Sequence, residues 1–291
     1  MNKSVGIIGI GDMGTPIARN LLDAGYTVYG FDLNPEKLKW LRSAGGAPCV
    51  DMEELADKAE VVLTCLPSNE AFIKAAGELA EFTKPGQYLV EMGTTAVFEM
   101  RKVAQSFAER GIEVIDAPMS NGPRGVEQRK LQIFVGCKRE TYDSFRPMFQ
   151  AIGGEDQVYY CGESGFGQVA KAVNQLCMGL TNAVAIEILS LAHHEGLGFE
   201  LISEMFGKKF PILGGPIAVI NQGGHPEVKY RELPYYISNA REAGYELPIT
   251  RQVYEYMKDG ELVTIDDHRN APSFYHELTK PSRAAGFVEM A

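Results

Sequence analysis

A chain of 291 residues is long enough for one large domain or two ordinary ones. With 45% hydrophobic and 23% charged residues it reads as a soluble globular protein, and no run approaches the ~18 apolar residues of a membrane span. A net charge of −10 argues against a nucleic-acid-binding surface but leaves small anionic ligands open, because a helix N-terminus attracts an anion whatever the global charge.

Met1 to Lys3 lead directly into Val5-Gly6-Ile7-Ile8-Gly9 without a signal-peptide pattern, so a cytoplasmic location is the expectation. Short apolar runs then alternate with amphipathic stretches, as parallel βαβ units require. Strands are expected at residues 4–9, 27–32, 47–50, 61–66, 87–92, 112–116, 130–135 and 157–161, with helical patterns at 13–23, 35–44, 98–109 and 140–151. Turn residues fall between them at Ala24-Gly25, Pro85-Gly86, Arg110-Gly111 and Gly153-Gly154. Beyond Gly162 the character changes. No proline occurs from Gly167 to His194, and Val169, Val173, Leu176, Leu180, Val184, Ile188 and Leu191 recur at helical spacing, so one long helix is expected there. The remainder is helical pattern broken by Gly/Pro loops, with no convincing alternating strand. The organisation expected is a doubly wound α/β domain over 1–162 and an all-helical domain over 163–291, joined by the long helix.

Gly9-x-Gly11-x-x-Gly14 follows the first strand and opens a helix, with Asp12 and Met13 between the last two glycines. In a dinucleotide-binding turn of the Rossmann type the first glycine permits the tight bend, the second lets the backbone approach the pyrophosphate, and the third lets helix and strand pack closely. Asp32 ends the second strand 18 residues beyond Gly14, where a carboxylate accepts hydrogen bonds from ribose hydroxyls and repels a 2′-phosphate. No arginine lies in Asp32-Leu33-Asn34-Pro35-Glu36, so NAD is expected over NADP; Lys37 is placed on the following helix, facing solvent.

Two later segments carry candidate chemistry. Asp116-Ala117-Pro118-Met119-Ser120-Asn121-Gly122-Pro123-Arg124-Gly125 follows a strand and can present a hydroxyl and backbone N–H groups to a carboxylate. Gly165-x-Gly167-x-x-x-Lys171-x-x-Asn174 opens the long helix, and Lys171 and Asn174 share a face of it. Taken alone, Lys171 is as well read as a solvated surface lysine as a proton donor.

In these segments the chain resembles the β-hydroxyacid dehydrogenases, the family of 3-hydroxyisobutyrate dehydrogenase and tartronate semialdehyde reductase, with 6-phosphogluconate dehydrogenase a more distant relative. The resemblance runs from about Val5 to about Ala271. It rests on Gly9-Ile10-Gly11-Asp12-Met13-Gly14 with Ala18-Arg19-Asn20-Leu21, Leu66-Pro67, Asp116-Ala117-Pro118-Met119-Ser120, and Gly165-Phe166-Gly167 with Lys171 and Asn174. It implies hydride transfer between NAD(H) and a small 2- or 3-hydroxy acid or semialdehyde acid. Ser120, Asn121 and Gly122 would hold the substrate carboxylate, with Arg124 beside them; Lys171 would be the general acid/base, and Asn174 would orient the hydroxyl. The cofactor would be met by Gly9, Gly11, Asp12, Met13, Gly14 and Asp32, by the Leu66-Pro67 and Thr94 turns, and by Arg231. The expected partners are that small anionic substrate and further copies of the chain, as a homodimer or homotetramer, with no nucleic acid and no membrane.

Several positions depart from the family pattern: Asn121 replaces the first glycine of the carboxylate turn, Gly93 replaces a frequent serine, Gln175 replaces a second asparagine, and Arg231-Glu232-Leu233 replaces Lys-Asp-Leu. Asp267-His268-Arg269-Asn270-Ala271 stands in for Asp-Phe-Ser-Ala. With Gly93 in place, any hydroxyl contact in that turn falls to Thr94. Two rival readings are a dinucleotide-binding regulator without turnover and an imine reductase; the joint presence of Ser120, Lys171 and Asn174 counts against the first, and Lys171 against the second. The five cysteines form no C-x-x-C pair and read as buried thiols, and His193-His194, adjacent on a helix, cannot chelate one ion together.

Overall fold

The computed structural model describes residues 4–222, 232–259, 262–264 and 270–272. They fall into two compact units, Met1–Ala172 and Val173–Ala291. The first unit runs β1 (Ser4–Ile8), α1 (Gly14–Asp23), β2 (Thr27–Phe31), α2 (Pro35–Ser43), β3 (Ala47–Pro48), α3 (Met52–Lys58), β4 (Val61–Thr64), α4 (Asn69–Phe82), β5 (Tyr88–Glu91), α5 (Val97–Ala108), β6 (Glu113–Asp116), β7 (Met119–Ser120), α6 (Gly122–Glu127), β8 (Gln132–Gly136), α7 (Arg139–Gly153) and β9 (Val158–Gly162), then enters α8 (Phe166–His194).

The sheet order is β3-β2-β1-β4-β5-β6-β8-β7, with β9 on β8. From β3 across to β6 every pairing is parallel; β8 runs antiparallel to β6 and β7, and β9 is parallel to β8. The direction of winding reverses between β1 and β4, which places a topological switch point at the C-terminal ends of those strands. Period-two alternation divides the strands between two cores. In β4, Val61 and Leu63 join the core under α1 and α7, and Val62 joins the core under α3, α4 and α5. Local capping starts three of the helices: Asn34, Asp51 and Ser68 accept the backbone N–H of Glu36, Glu54 and Ala71.

All eight expected strands are present, six of them with trimmed ends, while 157–161 moves to Val158–Gly162 and 130–135 to Gln132–Gly136. A turn displaces that strand: Arg129 adopts φ 52°, and the Lys130 N–H donates to the Gly125 carbonyl. The two-residue β7 lies below the length at which alternation is visible in a sequence.

The second unit holds the rest of α8, α9 (Phe199–Phe206), a 3-10 turn at Pro211–Leu213, α10 (Gly214–Asn221), α11 (Leu233–Glu242) and α12 (Pro248–Asp259), packed in part on Ile186, Leu189, Ile202, Leu213, Ile217 and Ile220. To these helices the described residues add one short antiparallel pair, β10 (Leu262–Thr264) and β11 (Asn270–Pro272). One expectation needs correction. By length and composition α8 is apolar enough to cross a membrane, its best 18-residue window having a mean hydropathy of 1.4. Asn174, Gln175, Thr181 and Asn182 interrupt the run without adding charge, so no long uninterrupted apolar stretch appears. Along α8 the apolar residues Val173, Val184, Ile188 and Leu191 are exposed, whereas Lys171 and Gln175 are buried. Cys177, also on α8, is exposed, against the expectation of buried thiols; all five cysteines are free.

Candidate active site

The β1–α1 turn separates the three glycines by what a side chain would meet. At Gly9, φ is +90° and a Cβ would lie 2.5 Å from the Cys65 carbonyl oxygen; at Gly14 a Cβ would lie 2.0 Å from the Gly9 carbonyl oxygen. Both positions are closed to any side chain by neighbouring backbone. At Gly11 nothing lies within 4 Å of a Cβ, so internal packing gives no reason for glycine there. Room for a ligand does. The first turn of α1 has no side-chain cap and no acidic residue, leaving its N–H groups available to an anion. Asp12 is exposed at this turn, and Met13 is partly buried against the core.

Asp32 holds the same turn from below. Its carboxylate accepts the Ile10 N–H at 2.6 Å and the Asn34 N–H at 2.8 Å. A carboxylate has about four lone-pair sites, so capacity remains for ribose hydroxyls. Leu33 is exposed beside it, and Lys37 lies on α2, partly exposed. These residues fit a dinucleotide, pyrophosphate at Gly11 and the α1 N-terminus, ribose at Asp32.

At the C-terminal ends of β4, β5 and β6 the register brings Thr64, Glu91 and Asp116 side by side, all fully buried. Their adjacency exists only across strands far apart in the chain, so no local sequence pattern points to it. Asp116 accepts the Gly165 N–H at 2.6 Å and the Gln168 N–H at 2.8 Å, and so caps the start of α8. Burial outweighs those bonds and pushes its carboxyl up to about 6. Glu91 accepts the Gly93 N–H at 3.0 Å and the Thr95 hydroxyl at 3.2 Å. Gly93 is explained by the same group, since a Cβ there would lie 2.5 Å from Glu91 Oε1. Thr94 is partly buried, while it is the Thr95 hydroxyl that is turned inward onto Glu91. The neighbouring turn leaves Leu66 partly buried and Pro67 exposed.

Burial pushes the Glu91 carboxyl up to about 8, against the opposing hydrogen bonds from Thr64, Thr95 and Gly93. The connectivity agrees with a neutral acid. The Thr64 hydroxyl reaches both the Val90 carbonyl, at 3.3 Å, and the Glu91 carboxyl, and one hydroxyl proton cannot serve both. A proton on Glu91 satisfies the second bond. Between its ordinary value of 4.5 and about 8, folded Glu91 keeps a proton that the unfolded chain releases, so stability declines as pH rises through that window. Glu91→Gln mimics the neutral acid and should flatten the decline, leaving the variant the more stable at pH 8. Thermal midpoints from pH 4.5 to 8.5 check this; parallel curves for the two proteins would mean that folded Glu91 is ionised throughout.

The turn expected to hold a substrate carboxylate is built on β7, whose Met119 and Ser120 pair with Ile133 and Gln132 of β8. Asn121 adopts φ 87°, the left-handed region that asparagine tolerates better than other non-glycine residues. Its side chain donates to the Lys130 carbonyl at 2.8 Å and is thereby tied into the loop. This accounts for the replacement of glycine. Gly122 follows at φ 59°, and Arg124 is exposed on α6. Asn20 of α1 donates to the Val126 and Ile152 carbonyls, joining α1 to α6 and α7.

Lys171, two turns into α8, is only 7% exposed, and its Nζ donates to the Met119 carbonyl at 2.6 Å. The reading of a solvated surface lysine is thereby excluded. Asn174 lies one turn further along α8. In the second unit, Gln175 donates to Glu232 at 2.6 Å and the Tyr236 hydroxyl donates to the same carboxylate at 3.0 Å. Burial, with Glu232 nearby, pushes the Tyr236 phenol above its ordinary value. The longer Gln175 is thus matched by a longer acid. Arg231, expected near the cofactor, lies outside the described residues, as do Asp267, His268 and Arg269.

Residues 4–162 match the family model described as the NAD binding domain of 6-phosphogluconate dehydrogenase. The chain is 29% identical to 2-(hydroxymethyl)glutarate dehydrogenase of Eubacterium barkeri, over 98% of this chain and 100% of that protein. It is 33% identical to 3-hydroxyisobutyrate dehydrogenase of Pseudomonas aeruginosa, over 69% of this chain and 68% of that protein. Among solved structures it is similar to Mycobacterium tuberculosis 3-hydroxyisobutyrate dehydrogenase with L-serine, at a TM-score of 0.82 and 24% identity, covering 96% of this chain and 99% of that one.

Proposed function

The chain belongs to the β-hydroxyacid dehydrogenase family, and on that footing we propose that it moves a hydride between NAD(H) and a small 2- or 3-hydroxy acid or semialdehyde acid. The observation that carries this reading is the buried Lys171, whose ammonium bonds the carbonyl of the residue preceding Ser120. This contact supports reading Lys171 as a proton-transfer group beside the turn expected to hold the substrate carboxylate.

Bound NAD supplies the hydride acceptor at carbon 4 of its nicotinamide. The remaining tasks fall to groups of the chain itself. The Ser120 hydroxyl and the backbone N–H groups of Asn121 and Gly122 bind the carboxylate, and Asn174 orients the reacting hydroxyl. During oxidation Lys171 takes the hydroxyl proton as the carbonyl forms; in reduction its ammonium returns a proton to the carbonyl oxygen. A positioned acid/base of this kind contributes about 10²–10⁴ in rate. Asp32 favours NAD over NADP by repelling a 2′-phosphate, and Arg124, exposed at the same turn, suits a substrate with a second polar or anionic group. The exposed Val184, Ile188 and Leu191 of α8 support burial against another copy in a homodimer or homotetramer.

A panel of short 2- and 3-hydroxy acids, each assayed with NAD and with NADP beside a fluorescence titration of NADH, tests the reading. Turnover of at least one acid is expected, with NAD preferred, and Asp32→Ser should narrow that preference. NADH binding without turnover of any acid would instead favour a regulator that kept the fold.

A further inference from the structure

Gln168 is 1% exposed and lies one turn before Lys171 on α8. Its backbone N–H is bound by Asp116, and its side-chain amide faces the loop after β5. Nε2 donates to the Gly93 carbonyl at 3.0 Å, and Oε1 accepts the Thr95 N–H at 3.0 Å. The side chain therefore pairs with this loop as a second peptide group would, one donor and one acceptor both in use. Glu91 binds the same two residues from the strand side, through the Gly93 N–H and the Thr95 hydroxyl. Between them the two side chains engage both backbone groups of Gly93, and the backbone N–H and hydroxyl of Thr95. Thr94, the expected cofactor contact, sits between these anchors.

We infer that Gln168 is a positioning residue, fixing the distance between the cofactor loop at 93–95 and the helix that carries Lys171. The inference rests on the reaction proposed above, in which the hydride acceptor lies against that loop and the proton passes through Lys171. A misplacement of about 1 Å in such an arrangement costs about 10²-fold in rate. An amide is required for the role: methionine of similar length offers neither bond, and asparagine is too short by one methylene to span the gap.

The test uses Gln168→Met and Gln168→Asn in the full chain, the second serving if the first fails to fold. Amide hydrogen exchange at Thr95, measured without cofactor, should accelerate about tenfold or more as its acceptor is lost. NADH affinity should fall a fewfold. With the best hydroxy acid, kcat should fall about 10–100-fold with KM little changed, and the primary deuterium isotope effect on kcat should rise as hydride transfer becomes limiting. Faster Thr95 exchange with kcat within twofold of wild type would overturn the inference, since the bonds would then serve stability alone. If the wild-type chain turned over no acid, the proposed reaction would fail by itself. The positioning role would then be judged on Thr95 exchange and NADH affinity, and no change in either would overturn it.

Discussion

Replacing Lys171 with alanine is expected to lower turnover by about 10²-fold or more while leaving NADH affinity within a fewfold of wild type. The side chain is buried, and its Nζ is held 2.6 Å from the Met119 carbonyl, so the charged group has a fixed position rather than a spread of solvated ones. Lys171 follows closely on the start of α8, which Asp116 caps through Gly165 and Gln168. Truncation removes the proposed proton-transfer group but none of the bonds that hold the glycine turn, which involve Gly9, Asp32 and α1. Lys171→Met separates packing from chemistry, since it fills similar volume without an ionisable group and should lose as much activity as alanine. Lys171→Arg keeps the charge but does not deprotonate in the working range, and it should fail in the oxidative direction. Initial rates in both directions, beside NADH titrations, check the set. An alanine variant retaining most of its turnover would remove lysine from the mechanism and leave Met119 as the partner of a purely structural ammonium.

What the sequence disclosed and what it withheld divide along physical lines. The glycine turn, Asp32, the strands and α8 were legible because each is a local pattern: a spacing, an alternation, or a helical period within a few turns. Ser120, Lys171 and Asn174 were reachable through motif resemblance, yet whether Lys171 was solvated depended on the burial that α8 and β7 provide. Thr64 and Glu91 had no local signature, and Asp116, although it opens the Asp116–Ser120 motif, gave no sign of these two neighbours. Their meaning arises from register across three strands, where each is the partner of the next. Gln168 was equally silent, because its two acceptor and donor partners lie more than 70 residues earlier. The Thr95 hydroxyl turned onto Glu91 was equally silent, since only backbone direction decides which way that side chain faces. Asn121 departs from the family glycine, and its left-handed backbone and bond to Lys130 show how the turn accommodates it.

Alanine at Gly14 and alanine at Gly11 should have opposite signatures. At Gly14 the added Cβ would meet the Gly9 carbonyl oxygen at 2.0 Å and its carbon at 3.0 Å, both backbone atoms of the turn itself. Neither can rotate away, so α1 must move off β1, and the core around Ile17 and Leu21 is disturbed with it. Overpacking of this kind costs about 1–3 kcal/mol or more, visible as a lower thermal midpoint of the cofactor-free protein, and NADH binding should fall as the turn is lost. At Gly11 the Cβ enters open space, and φ does not lie in the left-handed region, so the cofactor-free protein should be as stable as wild type or slightly more so. Its NADH affinity should nevertheless fall by at least about tenfold, because the methyl group occupies the position where the pyrophosphate approaches the backbone. Thermal midpoints without and with NADH resolve the two cases in one experiment. Gly14→Ala lowers the first; Gly11→Ala leaves the first intact and reduces the upward shift that NADH gives the wild type. A Gly11→Ala variant that bound NADH normally would show that the turn, although built with all three glycines, does not cradle the dinucleotide.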